Sequence, residues 1–190
     1  VSSFTLNDGN SGGNYTTTVA TATGTINAKA ITLTAATDTK TYDSTTDSGG
    51  TVTVSGLIST DTLASAAQAF TSKNVQGSGG STLTVSGFTL NDGNGGSNYS
   101  ATLVSATGTI NPAALTVTAG TDVKTYDSTT NSSGTVLTSG LIGTDTLASA
   151  TQIFTSKNVP GSGGSTLTVS SFTLNDGNSS GNYTTTLVTA

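Results

Sequence analysis

The chain has 190 residues, of which 32% are hydrophobic and only 8% charged, with a formal net charge of −5 and no Cys, His, Met, Trp, Glu or Arg. That excludes disulfides and zinc–thiolate sites and removes the commonest general acids and bases. It also leaves five scattered lysines, too few for a phosphate-binding surface. No apolar run approaches the ~18 residues expected of a membrane-spanning helix. The composition therefore argues against an enzyme, a nucleic-acid partner and membrane insertion of this segment. The abundant Thr is β-branched and favours strands whose outer face is wet.

The sequence repeats every 84 residues: VSSFTLNDGN starts at Val1, VSGFTLNDGN at Val85 and VSSFTLNDGN at Val169. A near-identical repeat decides architecture before any motif does. Residues 1–28 read as the C-terminal part of a preceding repeat. Residues 29–112 read as a complete repeat, and 113–190 as a repeat lacking its final strand. The phase of the two ends suggests a piece of a longer array.

Within the complete repeat, Ile31-Thr32-Leu33-Thr34-Ala35 alternates as a half-buried strand does. The segment Lys40–Thr46 and a Ser/Gly turn follow, then a short strand over Thr51–Val54. The Asp61–Phe70 segment contains Ala at helix-compatible positions, but its shortness and β flanks predict a strand. Gly77–Gly80 and its copy Gly161–Gly164 read as loops, since no Lys-Ser/Thr follows to make a phosphate cradle. In Ser81–Leu90 the apolar parity changes between Val85 and Phe88, which predicts a β-bulge at Ser86-Gly87. Asn91–Asn98 is a polar turn, and Tyr99–Ile110 reads as one long strand. Turn signals at this spacing predict an all-β protein of tandem antiparallel β-sandwich (Ig-like) units, with β-grasp-like units as the alternative. The junctions Asn111-Pro112 and Asn27-Ala28 are short and not Gly/Ser-rich, so the units should stack into a rod.

The ordered segments Lys40-Thr41-Tyr42-Asp43-Ser44, Phe70-x-x-Lys73-Asn74-Val75, Asn98-Tyr99-Ser100 and Thr107-Gly108-Thr109-Ile110-Asn111-Pro112 resemble the YDG-type repeat, related to MBG domains, of large filamentous-haemagglutinin-like bacterial surface adhesins. The second copy carries Lys124-Thr125-Tyr126-Asp127 and Phe154-x-x-Lys157-Asn158-Val159. The resemblance implies an extracellular, cell-surface repeat and does not imply a catalytic activity. One departure is that Ser44 and Ser128 stand where the family has Gly. If that Gly serves a positive φ, Ser is strained there, so the turn of this chain is expected to differ.

Candidate sites follow from the recurring polar motifs. Lys40, Tyr42 and Asp43, with Lys124, Tyr126 and Asp127, could provide a Lys–Asp or Lys–Asn isopeptide bond. With no buried Glu to catalyse it, they read as structural, Tyr packing inward and Lys pairing with Asp. Asp8, Asp92 and Asp176 sit in Asn-Asp-Gly-Asn loops that offer oxygen ligands for Ca²⁺, but one carboxylate per loop suits a turn better than a calcium site. Asn14, Asn98 and Asn182, and also Asn131, lie in N-x-[ST] sequons and are candidate glycosylation acceptors. No other cofactor is implied. The Tyr and Phe side chains read as core residues, which ranks a carbohydrate-binding module low. The expected function is a stalk or adhesive repeat with neighbouring repeats as partners. The alternative is a self-assembling extracellular filament formed by strand exchange.

Overall fold

The computed structural model describes residues 1–161 and 164–190, so Ser162 and Gly163 of the second Gly-rich loop lie outside the described residues. The first unit contains β1 (Lys29–Thr34), β2 (Asp38–Thr41), β3 (Thr53–Ser55), β4 (Thr62–Phe70), β5 (Ser81–Asn91), β6 (Tyr99–Val104) and β7 (Ala106–Asn111). The second contains β8 (Ala113–Thr118), β9 (Leu137–Ser139), β10 (Thr146–Phe154), β11 (Leu167–Asn175) and β12 (Tyr183–Val188). No helix occurs among the described residues. The protein is all-β and tandem.

Each unit packs one sheet against another. In the first, β3-β1-β6 faces β2-β7-β5-β4. Ile31, Leu33 and Ala35 from one sheet meet Phe70, Leu83, Val85 and Ile110 from the other, all buried. The alternation explains this: in β5, Ser81, Leu83 and Val85 point inward while Thr82 and Thr84 face water. The bulge lies where the parity change places it. Ala67 opposes Gly87 and Gln68 opposes Val85, so Ser86 has no opposite number. Beyond it, Phe88 and Leu90 turn to the half-buried face.

Two expectations need correction. The sheets are mixed rather than purely antiparallel: β1 runs parallel to β6, β2 to β7, and β8 to β12. And Tyr99–Ile110 is not one strand. It breaks at Ser105, because β6 completes the sheet of β1 while β7 crosses to pair with β5 and β2. A straight strand cannot hydrogen-bond in both layers. The periodicity of the segment is continuous across the break, which conceals it.

Burial inside each unit is reinforced by a glutamine. Gln68 is buried. Its Oε1 accepts from Ala36 N at 2.7 Å, and its Nε2 donates to Ala36 O and Ser48 Oγ, both at 2.9 Å. Gln152 repeats the arrangement with Gly120 and Ser132. Every polar atom of the amide is thereby engaged, which is what permits its burial.

Residues 1–28 contain no strand. Between units, Pro112 alone separates β7 from β8. Its ring fixes φ and removes the N–H that would continue the ladder.

Candidate functional site at the joint between the repeats

One copy of each recurring polar motif lies at the contact between the two units. The Lys40–Thr46 segment aims Tyr42 into it. Lys40 Nζ pairs with Asp43 Oδ1 at 2.8 Å, donates to Thr45 O at 2.9 Å and lies 5.4 Å from the Phe70 ring centroid. Lys124, Asp127, Thr129 and Phe154 repeat this clamp, with an ion pair of 2.9 Å. The Lys124 ammonium and the N–H and hydroxyl of Thr129 hold the Asp127 carboxyl down at about 2. Ser does not abolish the positive φ of the turn after Tyr-Asp: φ is 64° at Ser44 and 62° at Ser128. Each Ser therefore occupies the left-handed region that Gly enters freely.

Tyr42 is fully buried and its hydroxyl donates to Asp145 Oδ2 at 2.9 Å, across the joint. Tyr183 donates to the same oxygen at 2.6 Å, and Ile142 N donates to the Tyr183 hydroxyl at 2.9 Å. The two rings meet edge to face, 5.5 Å apart. One carboxylate thus draws a tyrosine from each unit into a shared buried cluster. Burial, and then the Asp145 carboxylate, raise both hydroxyls well above the ordinary tyrosine range, Tyr183 to about 12.

A second set of contacts flanks the first. Val75 N donates to Asn182 Oδ1 at 2.9 Å, Asn178 Nδ2 donates to Val75 O at 3.1 Å, and Asn182 Nδ2 donates to Asn74 Oδ1 at 3.1 Å. Asn182 is set in place by the Asp176 loop, whose carboxylate accepts from the backbone N–H groups of Asn178, Ser180 and Asn182. Burial pushes the Asp176 carboxyl up, but these three N–H donors together outweigh it and hold it below its ordinary value.

The Asp92 and Asp8 loops fold in the same way around N–H donors from Asn94, Gly96 and Asn98 and from Asn10, Gly12 and Asn14. All three carboxylates face positive dipole ends and brace a turn, the geometry opposite to that of a cation cage. Among the described residues no three His, Cys, Asp or Glu side chains group as metal ligands would.

The structure separates the sequon asparagines. Asn14 and Asn98 are exposed, whereas Asn182 is fully buried in the joint. Most but not all of the aromatics are core residues. Tyr42, Tyr183, Phe70 and Phe154 are buried, but Phe4, Tyr15 and Tyr126 are exposed. Sequence reasoning missed Asp145 and its copy Asp61, and Gln68 with its copy Gln152. The available signal was their recurrence every 84 residues beside apolar positions.

The YDG domain family model matches residues 27–108 and again 111–190. The chain belongs to the YDG domain family. No curated protein and no solved structure matches it significantly. Each YDG unit carries both halves of the joint: Tyr42 with Asn74-Val75 at one end, and the Asp61–Tyr99 pair with Asn94 and Asn98 at the other. In the second YDG unit the latter set is Asp145, Tyr183, Asn178 and Asn182, engaged by the first unit.

Proposed function

We propose that this chain is a load-bearing stalk segment of a large extracellular bacterial surface adhesin, in which YDG units are stacked through a stiff polar joint. The observation that carries this reading is the buried Tyr42–Asp145–Tyr183 cluster. A joint with a proline-limited linker and a desolvated carboxylate shared by two tyrosines resists bending, because any tilt strands a buried polar group. The Thr-rich strand faces suit an aqueous exterior, and cohesion without disulfides rests on the sheets and the core. The role requires neither cofactor nor catalysis, and its partners are adjacent repeats.

Backbone ¹⁵N relaxation on the dilute chain, with small-angle scattering alongside, tests the reading. The two units should tumble as one elongated body, and Asp145→Ala should release them. Independent tumbling in the unsubstituted chain would refute the stiff stalk.

A further inference from the structure

We propose that Ser44 of one unit and Gly143 of the next form a matched pair that selects which YDG units can stack. Ser after Tyr-Asp fits because Gly stands opposite, and a unit with Ser in the opposing loop is matched to a unit with Gly after Tyr-Asp. The inference rests on reading the contact between the units as a structural joint, and it names the kind of partner that joint accepts.

The loop Gly140-Leu141-Ile142-Gly143-Thr144-Asp145 supplies the joint with its shared acceptor. Asp145 Oδ2 accepts from Tyr42 and Tyr183, and Ile142 N donates to the Tyr183 hydroxyl. Its copy in the first unit, Gly56-Leu57-Ile58-Ser59-Thr60-Asp61, differs at one place only: Ser59 stands where the second unit has Gly143. Both residues hold a left-handed backbone, φ 53° at Ser59 and 62° at Gly143. The hydrogen bonds around them are also alike, since Ile58 N donates to the Tyr99 hydroxyl and Tyr99 donates to Asp61. The loop therefore folds with either residue, and the fold of the unit does not require the exchange.

What requires it is the space across the joint. A Cβ on Gly143 would come within 2.5 Å of Ser44 Oγ and 3.1 Å of Ser44 Cβ. The hydroxyl can swing aside about χ1, but the Cβ cannot. The turn fixes it at φ 64°, next to an Asp43 carboxylate that is held by Lys40 Nζ and Thr45 N. Carbon atoms pack best at about 3.5–4.0 Å, so a side chain at 143 pushes the loop back. Two residues further along, the same loop carries Asp145, whose bond to Tyr42 spans the joint at 2.9 Å. Two serines face to face thus pull the shared acceptor away from its donor, whereas one serine against one glycine leaves it in place. Two copies of the first unit in succession would set Ser44 against Ser59. That is the neighbour the joint rejects, so the units discriminate by a clash as well as by their hydrogen bonds.

Amide hydrogen exchange on the full chain tests the pairing, because Val75 N donates to Asn182 Oδ1 of the other unit. In the parent chain this N–H should be protected. Gly143→Ser should lower its protection roughly fivefold or more, while the amides of the β4–β5 and β10–β11 ladders keep theirs. In the Ser44→Gly background the same substitution should change it by less than about twofold. Ser59→Gly, the converse exchange at the copy position, should leave Val75 as it was. Unchanged Val75 protection in Gly143→Ser, an equal loss in the Ser44→Gly background, an equal loss in the β10–β11 ladder, or an effect of Ser59→Gly would each overturn the pairing and leave the stalk reading intact. A Val75 N–H unprotected in the parent chain would overturn both.

Discussion

Tyr42 and Tyr126 occupy the same position in two nearly identical units, yet Tyr42 is 1% exposed and Tyr126 is 58% exposed. The difference is not in the local sequence, since the Lys-Thr-Tyr-Asp-Ser-Thr-Thr segments are identical. It lies in what stands opposite. Tyr42 faces Asp145 and Tyr183 of the next unit and its backbone N–H reaches Asn111 O of β7. Burial of this tyrosine therefore reports a unit docked against it.

Removing the shared hydrogen bonds should loosen the joint without unfolding the units. Tyr42→Phe deletes one donor to a buried carboxylate and should cost about 1.5–3 kcal/mol. Asp145→Ala leaves two buried hydroxyls without an acceptor and should cost more, ~3 kcal/mol or above. Two-domain denaturation curves should show the loss as reduced coupling between the units. Tyr126→Phe, at an exposed hydroxyl, should change the stability of the dilute chain by no more than about 0.5 kcal/mol.

The joint should also be sensitive to alkali. The Tyr183 hydroxyl stands near 12 in the folded protein against 10.0 unperturbed, and Tyr42 is raised as well. A group whose folded value is raised contributes stability that is complete below the unfolded value and is lost as pH climbs through the folded one. From neutral pH, thermal melts should thus be flat up to about pH 10 and fall between about pH 10 and 12, with a smaller fall in Tyr42→Phe.

In acid the sign reverses. The carboxyls of Asp92 and Asp176 lie below 3.8 because backbone N–H groups favour their charged form. Their contribution is present above the unfolded value and disappears as pH drops through the depressed folded values. Melting temperature should decline below about pH 4, and Asp176→Asn should flatten that decline. A slope unchanged by this substitution would remove the Asp176 loop as its source.

Ser128 holds φ at 62° on an exposed turn. Ser128→Gly should relieve left-handed strain and stabilise the second unit by about 1 kcal/mol. Chemical denaturation would detect this as a shifted midpoint at constant slope.

The two copies of Gly in Thr-Gly-Thr-Ile should respond unequally. Gly108→Ala forces a methyl against Phe70, Leu83 and the Asp38 carbonyl, and should cost about 1–3 kcal/mol. Gly24→Ala meets nothing and should change the dilute chain by less than about 0.5 kcal/mol. Unequal ΔΔG from one substitution in one hexapeptide would measure this packing directly.

The sequence by itself determined the all-β class, the 84-residue period and the bulge at Ser86. Each of these is set by side-chain alternation or by local backbone chemistry. It could not determine which copy of a segment becomes a strand. VSSFTLNDGN is strand β11 and the turn after it at 169–178, but forms no strand at 1–10. At 169–178 it has β10 to pair with, whereas residues 1–28 contain no copy of that strand. Yet the Asp8 turn, whose hydrogen bonds are all local, forms in both places. Strand hydrogen bonds need a second segment, and so does a joint. Only the tertiary structure says where that second segment is, which is why Tyr42 and Asp145 could not be paired from sequence.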